Sequence, residues 1–166
     1  DASGLAASLR AALQARGARC IEVRPGERLQ SLGGDRWTVD PHGPQDFKAV
    51  LDAAQASGPL RGAVHLWGLD APALEADDPE HAERLASGAL LHLAQALVAA
   101  PAPLTLVTRS AQSVHAGEAP AGLAAAGAWA FLGVLRVEHP ELQPRAIDID
   151  AAASDGAALL PWLLGA

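Results

Sequence analysis

The chain has 166 residues, of which 50% are hydrophobic and 19% are charged, a composition typical of a globular domain and not of a disordered segment. Its net charge of −7, with scattered arginines and the single lysine Lys48, argues against a nucleic-acid partner or an anionic membrane surface. The single Cys20 can form neither an internal disulfide nor a thiolate metal site, so we expect a reducing, cytoplasmic location. Aromatic residues are rare, and we expect Trp67, Trp129 and Trp162 to be large fillers of a core made mainly of Leu, Val and Ala.

The first part of the chain predicts helices that alternate with strands. Leucines recur every four residues from Ser3 to Arg16, which predicts a helix with Ser3 as N-cap and Gly17 as its end. "ARCIEV" is predicted as a strand, "RPGERLQSLGGDR" as a turn and "RWTVD" as a second strand. A second helix begins at Pro44 and ends at Gly58. The apolar run "LRGAVHLW" then predicts a strand of a parallel sheet that is covered on both faces.

The second part of the chain continues the same alternation. Asp77 and Asp78 are interpreted as capping residues, with Pro79 in the first turn of a third helix that runs to about Ala100. "PLTLVTRS" predicts a buried strand and "AQSVHAGEAPAG" a loop, before a fourth helix over about residues 122–137. "RAIDID" predicts the last strand, and "DGAALLPWLLGA" a final short helix.

This alternation predicts an α/β fold, a truncated Rossmann-like, mostly parallel, doubly wound sheet with helices on both faces. No internal repeat or linker is evident, so residues 1–166 are predicted to form a single domain. Since a crossover helix connects two strands, we expect a strand before Asp1. The sequence has neither an initiator methionine nor a signal peptide, and no apolar run approaches the ~20 residues of a membrane span. We therefore expect a piece of a longer polypeptide without a membrane partner.

The turn before the first helix lacks the glycines of a dinucleotide site. Such a site needs G-x-G-x-x-G, because the glycines let the backbone approach the pyrophosphate at the helix N-terminus. Here the turn reads "DASGLA", in which only Gly4 remains and Asp1 adds a repelling negative charge. A short-chain reductase also needs a Tyr whose pKa is lowered by a Lys, and the chain has no Tyr. We therefore expect no cofactor-binding residue in this chain.

The histidines do not have the spacing of a metal site. No H-x-x-x-H or H-E-x-x-H occurs, and His81 and His92 are too far apart along one helix to share an ion. His65 lies within a predicted strand, where a buried, hydrogen-bonded core group is the simpler interpretation. His139 follows a helix end, where it is predicted to interact with the last carbonyl groups. No metal-binding residue is predicted.

Two acids and two serines near strand ends are the remaining candidates for chemistry. Asp148 and Asp150 share one side of the last strand and could do acid–base work at a ligand crevice, although solvated acids at a strand end are more common. Ser110 and Ser113 follow a strand, but no G-x-S-x-G surrounds either of them. No catalytic residue is therefore predicted.

Three stretches, "GAVHLWGLDAP", "LTLVTRSAQSV" and "GAWAFLGVLRVEHPEL…AIDID", together resemble the ketoreductase region of modular type I polyketide synthases, and more narrowly its structural subdomain. That family has a strand with "HLW", a strand with "LVTRGAQ", and a helix of the form "LWGLGRVxxxEHPEL" followed by "IDLD". The order and spacing match over most of this chain, and residues 138–142 match outright.

The resemblance implies a role without catalysis for this chain. In that family the reductase has two Rossmann-like halves, of which the first binds no cofactor and the second binds NADPH and holds the Ser, Tyr and Lys. This chain ends about where the first half ends. The resemblance implies a scaffold in a polyketide synthase multienzyme, with NADPH and phosphopantetheine used by other domains. The implied partners are adjacent domains of the same polypeptide: the ketoreductase catalytic half, a methyltransferase or dehydratase, and the acyl carrier protein.

The sequence departs from the family after the tryptophan of the fourth helix. The family has Gly-x-Gly-Arg where this chain has residues 130–133, "AFLG", which suggests changed contacts and motivates the hypothesis of a pseudo-ketoreductase without a working reducing half. An alternative is a degenerate nucleotide- or thioester-binding enzyme domain, whose crevice Asp148, Asp150 and the loop after Arg109 would line. A third possibility, a regulatory interaction module, would require a large exposed apolar patch.

Overall fold

The computed structural model describes residues 3–70, 80, 83–113 and 125–165, and in them the predicted alternation of strands and helices is confirmed. The elements, in chain order, are α1 (Leu5–Gln14), β1 (Glu22–Pro25), β2 (Gln30–Gly33), β3 (Arg36–Val39), α2 (Pro44–Gln55), β4 (Ala63–His65), α3 (Ala89–Val98), β5 (Leu104–Arg109), α4 (Ala126–Glu138), β6 (Arg145–Ile149) and α5 (Leu160–Leu164). Short 3₁₀ turns are formed by Trp67–Leu69, Pro140–Leu142 and Gly156–Leu159, and a π-helical turn by Arg84–Gly88.

The described strands form two three-stranded sheets, with the orders β1-β3-β2 and β4-β5-β6. β1 is parallel to β3, and β5 is parallel to both β4 and β6, whereas β2 runs antiparallel to β3. The prediction of a mostly parallel sheet is therefore confirmed. β5 lies in the middle of its sheet and is buried over nearly all its length, as expected of a parallel strand covered on both faces.

Helices cover both faces of the β4-β5-β6 sheet. On one face, α2, α3 and α4 enclose the main core, which includes Leu104 and Leu106 of β5. On the other face, α1 and the C-terminal segment form a second cluster in which Leu5 and Leu9 pack with Val107. Because neighbouring residues of a strand point to opposite faces, β5 contributes to both clusters and the fold is doubly wound. No helix among the described residues is long and apolar enough to cross a membrane.

The first helix begins one residue later than predicted, at Leu5. Gly4 stands at its N-cap position in a left-handed conformation with φ 82°, and no side chain caps the helix. The prediction of Ser3 as N-cap is wrong, because the Ser3 hydroxyl accepts a hydrogen bond from the Arg109 guanidinium instead. At the other end the prediction is confirmed, since Gly17 has φ 81° and stops the helix.

The segment predicted as a long turn contains a strand. β2 is exposed along its whole length, so it lacks the apolar alternation by which a strand is recognised in a sequence. It connects to β3 through Gly33, Gly34 and Asp35, which all have positive φ. The preceding strand, β1, begins at Glu22, four residues after Ala18, the first residue of the predicted strand.

Three further segments differ in detail from the prediction. The segment predicted as the third helix contains a π-helical turn, Arg84–Gly88, before α3 begins. The residues predicted at its start, Asp77, Asp78 and Pro79, lie outside the described residues. Trp67 belongs to a 3₁₀ turn and not to the strand before it. Trp162 is 66% exposed and is not a core residue, because α5 turns Leu160 toward the core and residues two positions later point away from it.

Candidate functional site at the carboxyl edge of the parallel strands

The carboxyl ends of β5 and β6 lie beside the start of α1. Arg109, the last residue of β5, donates a hydrogen bond from Nη2 to Ser3 Oγ at 3.0 Å. In open α/β sheets, ligands bind outside the carboxyl ends of the strands. This edge is therefore where a site would be expected, and it contains the acids and serines that the sequence analysis singled out.

Asp148 is the centre of a hydrogen-bond network at this edge. Its Oδ1 accepts from the Thr108 hydroxyl at 2.7 Å and from the Ala111 backbone N–H at 3.1 Å, and its Oδ2 accepts from the Gln112 N–H at 3.0 Å. The buried Thr108 hydroxyl in turn accepts from Trp129 Nε1–H at 3.1 Å. Both carboxylate oxygens thus hold the loop after β5, and the network ties that loop to β6 and α4.

Asp150 has different surroundings. Its side chain is exposed, while its backbone carbonyl accepts from Arg109 Nη1 at 3.3 Å. The same guanidinium nitrogen donates to the carbonyls of Ala151 at 2.8 Å and Ala153 at 2.7 Å. Arg109 therefore closes the turn after β6 and fastens it to the start of α1. The Asp148 carboxylate is thus held within the fold, whereas the Asp150 carboxylate is exposed.

Ser110 continues the strand pairing past the end of β5. Its backbone N–H donates to the Ile149 carbonyl at 3.0 Å, and its φ of 49° turns the chain out of the sheet. The left-handed conformation of Ser110 is thus explained by the turn that the chain makes where it leaves the sheet.

His65 is a buried, hydrogen-bonded core group, as predicted. Its Nε2 lies 3.1 Å from the Leu85 carbonyl oxygen, which can only accept, so Nε2 carries the proton. Burial lowers the pKa of His65 to about 4, although the hydrogen bonds to the backbone of Leu85 and Ala86 oppose this. The imidazole is therefore neutral at physiological pH and joins β4 to the π-helical turn.

His92 and His139 each have a side-chain partner of their own. His92 Nδ1 lies 3.3 Å from Gln95 Oε1, and His139 Nδ1 lies 2.9 Å from Glu141 Oε1. The predicted contact of His139 with the last carbonyls of α4 is wrong, because its ring is hydrogen-bonded to Glu141 instead. The pKa of the Glu141 carboxyl is lowered mainly by its own backbone N–H and then by His139. His81 lies outside the described residues. Among the residues described, no three His, Cys, Asp or Glu side chains form a group that could hold a metal ion.

The sequence analysis missed Thr108 and the hydrogen-bonding role of Trp129. The sequence did contain a pointer to these residues, because Thr108, Trp129 and Asp148 each belong to a stretch that carries the family resemblance. Their contact is visible only in three dimensions, since it joins residues that are 21 and 40 positions apart.

Comparison with solved structures finds the same fold in ketoreductases. A C2-type ketoreductase from a modular polyketide synthase is 30% identical over 96% of this chain, with a TM-score of 0.69. A keto acid-selecting NRPS module with adenylation, ketoreductase and pseudo Asub domains is 18% identical, with a TM-score of 0.79 over 98% of this chain. A gluconate 5-dehydrogenase from Burkholderia cenocepacia J2315, in complex with NADP and tartrate, is 15% identical, with a TM-score of 0.63 over 96% of this chain and 74% of its own.

This chain corresponds to a part of its ketoreductase relatives. It spans 33% of the C2-type ketoreductase chain and 14% of the NRPS module. A family model described as the Rossmann fold domain of polyketide synthase extender module SpnB matches residues 5–166. The protein therefore belongs to this family and is a ketoreductase-like Rossmann-fold subdomain of a polyketide synthase module.

Proposed function

We propose that residues 1–166 form a structural, non-catalytic subdomain that supports a neighbouring catalytic domain and binds no NADPH of its own. The observation that carries the proposal is the internal use of the polar groups at the carboxyl edge. Asp148 accepts three hydrogen bonds and Arg109 donates to Ser3 and to three backbone carbonyls. A ligand at this edge would have to break bonds that hold the fold together.

The start of α1 also argues against a bound pyrophosphate. A dinucleotide needs several glycines in this turn so that its phosphates can approach the backbone N–H groups at the helix N-terminus. Gly4 supplies only one such position, and the next residue, Leu5, is buried in the core. Arg109 stands beside the turn, but its guanidinium is already bound to Ser3 and to the turn after β6. The residues present do not fit the cofactor.

The role of this subdomain is then to stabilise an adjacent domain of the same polypeptide. The matching structures belong to ketoreductases and to a multidomain module, which favours the ketoreductase catalytic half as the neighbour. In a pseudo-ketoreductase the neighbour would instead be a methyltransferase or dehydratase. NADPH and phosphopantetheine would serve those other domains and the acyl carrier protein.

A direct titration tests the absence of cofactor binding. The 166-residue chain is mixed with NADPH, and cofactor fluorescence and the melting temperature Tm are recorded, with an active short-chain reductase as positive control. We expect neither signal to change, because no phosphate-binding turn is available. A saturable signal with a Kd below about 100 μM would contradict the proposal and favour the alternative of a degenerate nucleotide-binding enzyme domain.

The two acids of the last strand provide a matched pair of substitutions. We expect Asp148→Asn to lower the free energy of unfolding by about 2 kcal/mol, because an amide cannot accept all three hydrogen bonds. Asp150→Asn should change it by less than about 0.5 kcal/mol, since that side chain is exposed. Urea denaturation measures both. Equal losses, or an effect of Asp150→Asn on the binding of a nucleotide or thioester, would indicate a functional carboxylate pair.

A further inference from the structure

The connection between β1 and β3 contains no helix. Two neighbouring parallel strands are usually joined by a crossover helix, which covers one face of the sheet. Here residues 26–35 join them, and this segment forms β2, which lies in the plane of the sheet beside β3. Parallel strands are normally covered on both faces, and this connection leaves the place of a covering helix unfilled.

The side chains of β1 and β3 divide into an apolar face and a charged face. Val23 and Trp37 pack against the main core, on the side of the sheet where α2 contacts β3. Because successive side chains of a strand point to opposite faces, Glu22 and Arg24 of β1 and Arg36 of β3 lie on the other face. Glu22 and Arg36 are direct neighbours in the parallel register.

Helix α1 covers only the β1 side of this charged face. It lies beside β1, where the Arg10 guanidinium donates to Glu22 Oε2. β3 and β2 are farther from α1, since the order of the strands is β1-β3-β2. On β2, Gln30 is paired with Thr38 and shares its face. Arg36 and Gln30 are both exposed, so among the described residues no helix or strand covers this part of the face.

The arginines on this face carry more charge than its one acid can neutralise. Arg10 and Arg24 donate to different oxygens of the Glu22 carboxylate, and Arg36 stands opposite Glu22 in the adjacent strand. We call Arg10, Arg24 and Arg36 the arginine face. The Arg24 side chain is 66% exposed, and in the described part of the chain its Nη1 and Nη2 groups and the whole Arg36 guanidinium have no hydrogen-bond partner. These groups are available to bind carboxylates in a bidentate manner.

The surroundings of the arginine face distinguish it from the rest of the surface. Residues 1–39 contain six of the 12 Lys and Arg residues but only four of the 19 acids, in a chain whose net charge is −7. Two exposed leucines, Leu29 and Leu32, lie in the β2 segment at the border of the same sheet. Arginines beside exposed apolar side chains are typical of protein–protein interfaces, and the local positive charge favours a partner with negative charge.

We propose that the arginine face is the docking surface for an acidic amphipathic helix from an adjacent domain of the same polypeptide. This helix takes the place of the absent crossover helix. Its Glu or Asp side chains, spaced at i and i+4, accept hydrogen bonds from Arg24 and Arg36, and apolar residues beside them contact Leu29 and Leu32. The inference rests on the proposed function, because it names the surface by which the subdomain supports its neighbour.

Chemical modification of arginine tests the docking in the full-length polypeptide. Phenylglyoxal reacts with accessible guanidinium groups, and mass spectrometry measures the extent of reaction at each arginine. We expect Arg24 and Arg36 to react at least about 10-fold more slowly in the full-length polypeptide than in the 166-residue chain. Arg61, which is exposed but lies outside this sheet, is the reference and should react at the same rate in both.

A peptide tests the chemistry of the partner. The probe is a helical peptide of about 15 residues with Glu at i and i+4 and Leu beside them, and in the matched control every Glu is Gln. We expect the Glu peptide to bind the 166-residue chain in fluorescence anisotropy and to slow the modification of Arg24 and Arg36. Its affinity should fall at least about 10-fold when NaCl is raised from about 50 to about 300 mM, and the Gln peptide should not bind.

Two double substitutions with the same change in net charge separate a local site from a general attraction. Arg24→Gln with Arg36→Gln should weaken binding of the Glu peptide at least about 10-fold, because it removes the free guanidinium groups of the arginine face. Arg16→Gln with Arg61→Gln also removes two exposed arginines and should leave binding nearly unchanged. Tm of each variant verifies that it is folded.

Three results would overturn the proposal. Equal modification of Arg24 and Arg36 in the full-length polypeptide and in the 166-residue chain would show that the face remains in contact with solvent. Equal binding of the Glu and Gln peptides, or equal weakening by the two double substitutions, would show that the face does not recognise acids. Equal protection by inorganic phosphate alone would make it a general anion site. These results are independent of the NADPH titration, so a failure here leaves the proposed absence of cofactor binding untouched.

Discussion

At the scale of single residues, His65 shows how a polar side chain can be part of the core. Its imidazole is buried, donates to the Leu85 carbonyl and lies with its ring centroid 6.0 Å from that of Trp67. A π-helical turn leaves backbone groups without their usual partners in the helix, and His65 satisfies one of them. The His65 side chain therefore links β4 to the segment before α3 by a hydrogen bond.

The low pKa of His65 predicts that stability depends on pH. Above its ordinary pKa of about 6.5, His65 is neutral in both the folded and the unfolded chain and has no effect. As the pH falls from there toward about 4, the unfolded chain takes up a proton that the folded chain does not. The free energy of unfolding should therefore decrease by about 3 kcal/mol over this range and level off below it. Urea denaturation between pH 7 and pH 4.5 measures the slope.

His65→Gln provides the comparison, because its amide can still donate to the Leu85 carbonyl but does not titrate. We expect it to remove most of the slope, whereas substitution of the exposed His42 by Gln should leave the slope unchanged. An identical slope in both variants and in the original chain would show that His65 is protonated in the folded state.

At the scale of elements, the packing of α1 on the C-terminal segment depends on one glycine. Gly156 lies so close to α1 that a Cβ atom at this position would stand 2.4 Å from the Leu5 carbonyl oxygen and from the Leu9 backbone nitrogen. The Ser8 hydroxyl, which accepts from Gly156 N–H and donates to Asp155, fixes the same contact. The C-terminal segment can therefore pack this closely on α1 only because residue 156 has no side chain.

Gly156→Ala should lower the free energy of unfolding by about 3 kcal/mol, because the helix backbone cannot move aside without opening the second cluster. The control is Gly133→Ala in α4, where a Cβ meets nothing within 4 Å. That change should raise the free energy of unfolding by about 0.5–1 kcal/mol, since Ala is the better helix former. Urea denaturation of both variants checks the prediction, and a Gly156→Ala chain as stable as the original would contradict the close contact.

At the scale of the whole molecule, the sequence predicted the order of most helices and strands but not the contacts between them. Buried strands and amphipathic helices have strong periodicity, so the ends of β5 and α2 were predicted to within three residues. β2 was missed because it is exposed and has no such pattern. The role of Asp148 was also beyond a local pattern, because its partners Thr108 and Ala111 are about 40 positions away and meet it only through the parallel register of β5 and β6.

The position of Cys20 has a practical consequence. It is the one cysteine of the chain, it is partly buried, and it directly precedes Ile21, which packs against the main core. A spin label or fluorophore can thus be attached to the sulfur of Cys20 without first introducing or removing a cysteine by substitution. Because partial burial raises the pKa of this thiol, mildly alkaline buffer favours the coupling reaction. The sequence therefore provides a single attachment point for a spectroscopic probe, next to a residue that packs against the main core.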